Sequence, residues 1–350
     1  MRYRKRNIDL LQHNIRACCD GYRMIRLNYT KRGGVQMKQK NKEPVGVRIK
    51  RWIKDFIKQM PLQLMVLPGI VFMIVFNYIP IYGLKIAFQN YTVVDTLESA
   101  RWVGMENFKI ILTDKYFWDS VYNTLGISFL KLVFGFITPI ILAVMIYELK
   151  DGIFKKTVQT ISYMPHFLSW IVLGGMLISW MSTNGMFNTI LKSLGLITEG
   201  RNILLDADKY WWIASLSDVW KGMGWGTILY LASMAGIDPT YYEAARIDGA
   251  NRLRQIWSIT LPLIKTIIGL NFILTVSGLL GSNLDQTLVL MNTQNQPRAE
   301  VINSYVYRMG IAQGDFSYAS AAGLGVSIVS VILLVAANKL TSKLNEQSVL

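Results

Sequence analysis

The sequence has 350 residues, 52% of them hydrophobic, with 10 Trp, 17 Tyr and 14 Phe and a mean hydropathy of +0.30, which excludes an ordinary soluble domain and specifies a membrane protein. The formal charge is +15, but residues 1–61 hold 17 Lys and Arg against 4 Asp and Glu, so the excess is one basic arm suited to a membrane surface rather than a nucleic-acid face. Two adjacent Cys (Cys18, Cys19) and two isolated His (His13, His166) offer neither a disulfide framework nor metal-ligand spacing, and no structural metal is expected.

Residues 1–46 read as a basic cytoplasmic tail. The first 36 are aperiodic, and Arg32-Gly33-Gly34 precedes Met37 with codons purine-rich enough for a ribosome-binding site. Two readings stand side by side: translation begins at Met37, or the tail is genuine and disordered. Residues 47–61 are expected to form a basic amphipathic helix on the inner leaflet. Ile49, Trp52, Ile53, Phe56, Ile57 and Met60 share one face, Lys50, Arg51, Lys54, Asp55 and Lys58 take the other, and Pro61 ends it. It serves either as an elbow holding the first span or as a simple anchor.

From residue 62 to 342 the pattern predicts an all-α membrane domain. A span needs about 20 apolar residues to cross ~30 Å of hydrocarbon. Six stretches qualify: Leu62–Lys85, Thr124–Leu149, Ile161–Met181, Tyr210–Ile237, Leu261–Leu280 and Ser317–Ala337. The segments on the N-terminal side (1–61, 150–160, 238–260 and 339–350) carry 25 Lys and Arg, the opposite, outer loops (86–123, 182–209 and 281–316) 8, which places both termini in the cytoplasm. The long outer loop Gln89–Ser120 is rich in aromatics and is open to two roles, partner contact or packing lid.

Catalytic chemistry is missing. There is no GxxxxGK[ST] phosphate loop, no GxSxG and no paired-carboxylate pattern. Gly222-Met223-Gly224-Trp225-Gly226 lies within the fourth span, where close helix packing explains it. Asp218 and Lys221 sit at i, i+3 and are expected to pair, either lining a polar cavity or snorkelling at an interface, while Lys131 in the second span has no obvious partner. His166, Ser169, Trp170, Trp220, Trp225, Tyr230 and Asn271, with Asn283 just beyond, bring aromatic faces and polar edges to the middle spans. A sugar ring has apolar C–H faces and polar rims, so the candidate substrate-pathway set is His166, Trp170, Asp218, Trp220, Lys221, Trp225, Tyr230 and Asn271. Interface anchoring and helix packing are the competing explanation of the aromatics.

The apolar chain is interrupted at residues 238–262. Asp238-Pro239-Thr240 starts a helix, Gly249 stops it, and Asn251 can cap a second helix presenting Leu253, Ile256 and Trp257. Ala244-Ala245 lets another surface approach the backbone, flanked by Glu243 and Arg246. Either a structural linker or a docking helix on the cytoplasmic side satisfies this pattern.

Glu243, Ala244, Ala245, Gly249, Ile259, Leu261 and Pro262 fall at the spacing of the EAA loop, and the segment resembles that of the integral membrane permease subunits of binding-protein-dependent ABC importers. "FNYIPIYGLKIAFQNY" (Phe76–Tyr91), "RWVGMENF" (Arg101–Phe108) and "GIDPTYYEAARIDGA" are similar to the carbohydrate branch, of oligosaccharide or polysaccharide type. The resemblance implies a type I permease fold with six transmembrane helices and no ATP binding or enzymatic step in this chain. ATP and Mg would act on separate cytoplasmic ATP-binding subunits, docked on Glu243, Ala244, Ala245 and Gly249 with Arg246 and Asp248 as auxiliary contacts. It further implies a second, homologous permease subunit in a heterodimer and an extracellular or periplasmic sugar-binding protein. An ion-coupled secondary transporter or a channel is the alternative, and would need no ATPase. The intact mass of the native protein separates the two readings of the N-terminus: a product beginning at Met37 fits the first, one that includes Met1 fits the second.

Overall fold

The computed structural model describes residues 58–281 and 284–345. The expected tail, the Met37 start, Asn283 and residues 47–57 of the amphipathic segment lie outside them. The chain divides into two units between Tyr78 and Ile79. In the first, helix α1 (Met60–Met73) has Pro61 in its first turn, where a missing N–H is harmless, and buries none of its side chains. It passes into a π-helical turn, Ile74–Tyr78, with the Phe72 and Phe76 rings 4.7 Å apart.

The second unit opens with a 3₁₀ segment, Ile79–Phe88, and a two-residue hairpin pairing β1 (Gln89–Asn90) antiparallel to β2 (Arg101–Trp102). Helix α2 (Glu106–Thr113) then leads to α3 (Lys115–Glu148), which Asp114 caps by accepting from the Tyr116 N–H at 2.8 Å. The start of the Gln89–Ser120 stretch is packed on itself. Gln89 donates to Leu97 and Ala100 carbonyls, Asn107 donates to Ala87 and Gln89 carbonyls, and Phe88 stacks on Trp102 at 5.6 Å. The Tyr305 and Tyr318 hydroxyls both donate to Asp114. Burial pushes the pKa of Asp114 up, but these bonds outweigh it and hold the carboxyl below its ordinary value.

Helices occupy all six expected span positions, but not as six uniform rods. Met60–Phe88, Lys115–Glu148 and Phe316–Lys339 are long and apolar enough to cross a bilayer. The expected span Ile161–Met181 is broken: α4 (Ile153–Tyr163) and its 3₁₀ extension meet α5 (Trp170–Met181) and α6 (Met186–Ser193) at 99°. Pro165 lies within the 3₁₀ turn, Leu168 is extended, and the Ser169 hydroxyl restarts the chain by accepting from the Val172 N–H. The fifth position bends by 65°, where α10 (Leu261–Leu263) gives way at Ile264 to α11 (Lys265–Ser277). Between them lies α7 (Tyr210–Ala235), one continuous 26-residue helix at the expected fourth position.

Helices α3 and α7 form the centre, and small residues let them approach. A Cβ on Gly126 would meet the Trp211 ring, one on Gly226 would touch Pro139 at 3.1 Å, and one on Gly224 would strike the Ser162 carbonyl of α4. Of the glycine cluster in the fourth span, Gly224 and Gly226 serve close packing as expected, while Gly222 does not. Around this pair Ile127, Trp170, Leu173, Leu177, Tyr210, Ile213 and Leu290 make the largest buried cluster. The C-terminal helix α15 (Phe316–Asn345) carries Tyr318, Ala321 and Ala322 into a second cluster with Ala87, Ile111 and Tyr305.

The stretch expected to be an outer loop, 281–316, instead supplies core. Short helices α12 (Leu284–Leu290), α13 (Gln296–Ala299) and α14 (Ile302–Tyr307) fold between the long ones. Side-chain amides satisfy their backbone: Asn295 donates to Leu204 and Leu290 carbonyls, Asn123 to those of Pro297 and Glu300. Replacing Gly224 by Ala is expected to cut the yield of folded protein and lower its melting temperature in detergent, since overpacking costs about 1–3 kcal/mol. Gly222→Ala, with nothing within 4 Å, is expected to melt like the parent.

Candidate functional site

Two features stand out, a polar cavity at mid-helix depth and an exposed loop at one end of the bundle. The cavity, of about 310 Å³, opens where α3, α7 and α11 converge. Ser128, Lys131, Asp218, Tyr230, Asn271 and Thr275 give it polar walls, and Gly135, Gly222 and Gly226 leave it room. The Asn271 amide donates to the Tyr230 hydroxyl at 2.9 Å.

The charge pair differs from expectation. Asp218 meets Lys131 across the helices, at 3.3 Å, and the Lys131 ammonium also donates to Gln286 Oε1 at 3.0 Å. Gln286 is held in turn by donating to the Ala214 carbonyl at 2.7 Å and the Ser217 hydroxyl at 3.0 Å. Lys221 is instead drawn to the break between α4 and α5, where it donates to the His166 carbonyl at 2.6 Å and sits 5.9 Å from the Trp170 ring centre. A bend leaves helix carbonyls without their i+4 donors, and an ammonium is well suited to satisfy one.

The expected pathway residues therefore fall into three groups. Asp218, Tyr230 and Asn271 share the cavity. His166, Trp170, Lys221 and Trp225 gather at the helix break, with the His166 and Trp225 rings stacked 4.6 Å apart at 5°; Trp170 is buried in the largest core cluster. Trp220 lines a separate, mainly apolar pocket with Trp180 and Trp212. The sequence reading missed Gln286 altogether and gave Lys131 no partner. A lone Lys in an apolar helix was the available signal, because a charge at membrane depth costs about 2.5–3.5 kcal/mol on insertion scales and demands a partner.

The loop forms as two helical pieces about a glycine. Asp238 accepts from the Thr240 N–H at 2.9 Å, an interaction that lowers the Asp238 pKa, and so starts α8 (Thr240–Ile247). Gly249 has φ +76°, a left-handed turn that glycine adopts without strain, and the Ala250 N–H closes back on the Ala245 carbonyl at 2.8 Å. The Asn251 side chain then caps α9 (Arg252–Gln255) through the Arg254 N–H, and a π turn, Ile256–Thr260, carries the chain into α10. Ile259 and Leu261 are half-buried and Pro262 is exposed.

One side of the loop is anchored, α8 through Tyr242 and α9 through Arg252. The Tyr242 hydroxyl bonds Thr260 Oγ1 at 3.0 Å, and Arg252 pairs with Glu148 at the end of α3 at 3.3 Å. The other side is open. Glu243, Ala244, Arg246, Asp248 and Gly249 are exposed and Ala245 is half-buried, while Ile247 is 87% and Trp257 71% accessible. A groove of about 850 Å³ runs beside it, walled by Glu148, Lys155, Glu243, Arg246 and Arg252. Large apolar side chains left this open, rimmed by charge, suit contact with another protein or with a membrane surface.

Residues 135–345, which include this loop, match the family of binding-protein-dependent transport system inner membrane components. The chain belongs to that family. It is similar to the polygalacturonan/rhamnogalacturonan transport system permease protein YteP of Bacillus subtilis (strain 168), 37% identical over 301 residues that cover 86% of this chain and 93% of the relative. Protein LplB of the same organism is 36% identical over 297 residues, 85% of this chain and 93% of that one. The fold is similar to the crystal structure of a bacterial ABC transporter involved in the import of the acidic polysaccharide alginate. The TM-score is 0.77 at 32% identity, covering 84% of this chain and 99% of that one. This permease is thus the membrane subunit of an ABC importer, and the alternative of an ion-coupled transporter or channel finds no support in these similarities.

Replacing Gln286 by Leu in the permease removes its bonds to Lys131, Ala214 and Ser217 and is expected to destabilise the detergent-purified protein by about 1–3 kcal/mol. Glu148→Gln breaks only the Glu148–Arg252 pair, whose Arg252 side chain is largely exposed, and should shift stability by less than about 1 kcal/mol. Thermal unfolding followed by tryptophan fluorescence measures both.

Proposed function

We propose that this permease carries an oligosaccharide inward across the cytoplasmic membrane, driven by ATP that separate cytoplasmic subunits hydrolyse with Mg. The permease domain is residues 62–342, and both termini face the cytoplasm, in keeping with the Lys and Arg asymmetry of the loops. A sugar-binding protein delivers cargo from outside, and a second, homologous permease subunit supplies the other half of the path. Neither nucleic acid nor a cofactor bound to this chain has a part in the scheme.

The observation that carries this reading is the exposed helix α8, anchored on one side to the ends of the long helices and open on the other. A contact that pulls on Glu243, Ala244, Ala245 and Arg246 acts through Tyr242 on Thr260, close to Ile259, Leu261 and Pro262, and through the following turn and Arg252 on α3. Asp248 and Gly249 form that turn. Helix α3 also walls the cavity, so movement at the loop reaches the path that Asp218, Tyr230 and Asn271 line. His166, Trp170, Lys221 and Trp225 mark where α4 and α5 hinge, and Trp220 stands on the same helix as Asp218.

A saccharide cargo is supported by the relatives, of which one is named for polygalacturonan and rhamnogalacturonan and another imports alginate. The alginate transporter has also been solved with an alginate pentasaccharide-bound periplasmic protein, again at TM-score 0.77 and 32% identity. The test is uptake of radiolabelled oligosaccharide by the importer reconstituted in proteoliposomes, with the binding protein outside and ATP inside. Gly249→Asp adds a side chain where φ is +76° but where nothing lies within 4 Å. Its expected outcome is normal membrane insertion and at least a tenfold loss of uptake, and wild-type uptake would contradict the role given to the turn.

A further inference from the structure

We propose that Lys131 reads the carboxylates of an acidic, uronate-containing oligosaccharide as it passes the cavity, which makes the cargo class acidic rather than neutral. The inference rests on the saccharide reading above and adds to it the charge of the cargo and the side chain that senses it.

The starting point is where the ammonium stands. Lys131 lies near the middle of the 34-residue α3, at a depth where a charge is retained only for a reason. Neutral sugars are held by hydroxyls, amides and phenols, and Ser128, Tyr230, Asn271 and Thr275 already supply these on the cavity wall. Among the described residues lining this cavity, Lys131 adds the positive charge and Asp218 the negative one. A pair serving only to staple α3 to α7 is best enclosed. This one is not: the side chains remain 17% and 28% accessible, and both line the cavity.

The geometry suits an exchange of anions. An ammonium has three donors, of which Asp218 and Gln286 engage two, so among the described residues a third is left for an oxygen of the cargo. Asp218 keeps the site neutral between substrates and accepts sugar hydroxyls when a carboxylate takes its place beside Lys131. Its own charge repels that carboxylate, which keeps the hold weak enough for cargo to leave, as conduction through any path requires. Gln286, fixed by Ala214 and Ser217, aims the ammonium throughout. The named substrates of the relatives fit this chemistry, since polygalacturonan is built from uronic acids and alginate is an acidic polysaccharide.

The test uses the complete importer in proteoliposomes and measures uptake of trigalacturonate and of neutral galactotriose per permease chain. Lys131→Gln and Asp218→Asn each remove one charge at nearly constant volume. We expect Lys131→Gln to lower trigalacturonate uptake at least tenfold, Lys131→Arg to restore most of it, and Asp218→Asn to lower the KM severalfold because the competing carboxylate is gone. A staple predicts matching losses for Lys131→Gln and Asp218→Asn, and that result overturns the proposal. If either single variant fails to assemble, the apolar pair Lys131→Met with Asp218→Leu replaces it: trigalacturonate uptake at the wild-type rate overturns the proposal, and a tenfold loss in an assembled importer supports it. Wild-type uptake of galactotriose without trigalacturonate overturns this inference and leaves saccharide import standing, whereas uptake of no oligosaccharide at all sinks the saccharide reading itself.

Discussion

A charge placed at membrane depth must find a partner, and much of this permease is arranged around that requirement. Lys131 and Asp218 sit on different helices, so their pairing fixes the face that α3 presents to α7. The ammonium has more donors than Asp218 can occupy, and Gln286 is brought in from a third segment to take one. Gln286 then needs its own partners and finds them on α7, in the Ala214 carbonyl and the Ser217 hydroxyl. The Lys131 and Asp218 side chains stay partly open to the cavity, so breaking the pair costs less than the about 3–5 kcal/mol of a fully enclosed one. The small residues between the helices make that proximity possible, since a side chain on Gly126 or Gly226 would push α3 and α7 apart, and one on Gly224 would push α7 from α4.

The same two helices connect the cavity to the exposed loop. Helix α3 runs from Asp114, clamped by Tyr305 and Tyr318, past Lys131 to Glu148, where Arg252 of the loop is attached. Helix α7 runs into Asp238 and α8. The loop is therefore joined to α3 and α7, two of the three helices that wall the cavity. The breaks at Pro165–Ser169 and at Ile264 lie in the neighbouring helices, where motion costs fewer backbone hydrogen bonds than it would within a continuous rod.

Much of this was legible because it is local. Hydropathy located the long helices, the Asp238, Gly249 and Asn251 signals located the loop's turns, and the spacing from Glu243 to Pro262 carried the family resemblance. The packing role of Gly222, Gly224 and Gly226 followed from their place in an apolar helix; the structure gives Gly224 and Gly226 the close contacts and leaves Gly222 open to the cavity. Local reasoning failed where the decisive neighbour was distant in sequence. Asp218 and Lys221 are one turn apart and appear to pair when only their helix is considered, yet Lys131 lies 87 residues from Asp218 and wins the contact because α3 and α7 are packed together. The 281–316 stretch reads as an outer loop because it falls between the fifth and sixth apolar stretches, whereas its amides Gln286 and Asn295 are buried and bonded.

By itself the sequence determined the membrane class, the places of the helices, the two-helix turn about Gly249 and the family, because hydropathy, capping and motif spacing act over a few residues at a time. Only the tertiary structure decided which charges meet, which span is broken by 99°, and which polar residues face a common cavity. Those outcomes depend on burial and on partners from remote segments, and the energy of an ion pair or a buried amide is set by the neighbours the fold supplies rather than by the residues adjacent in the chain.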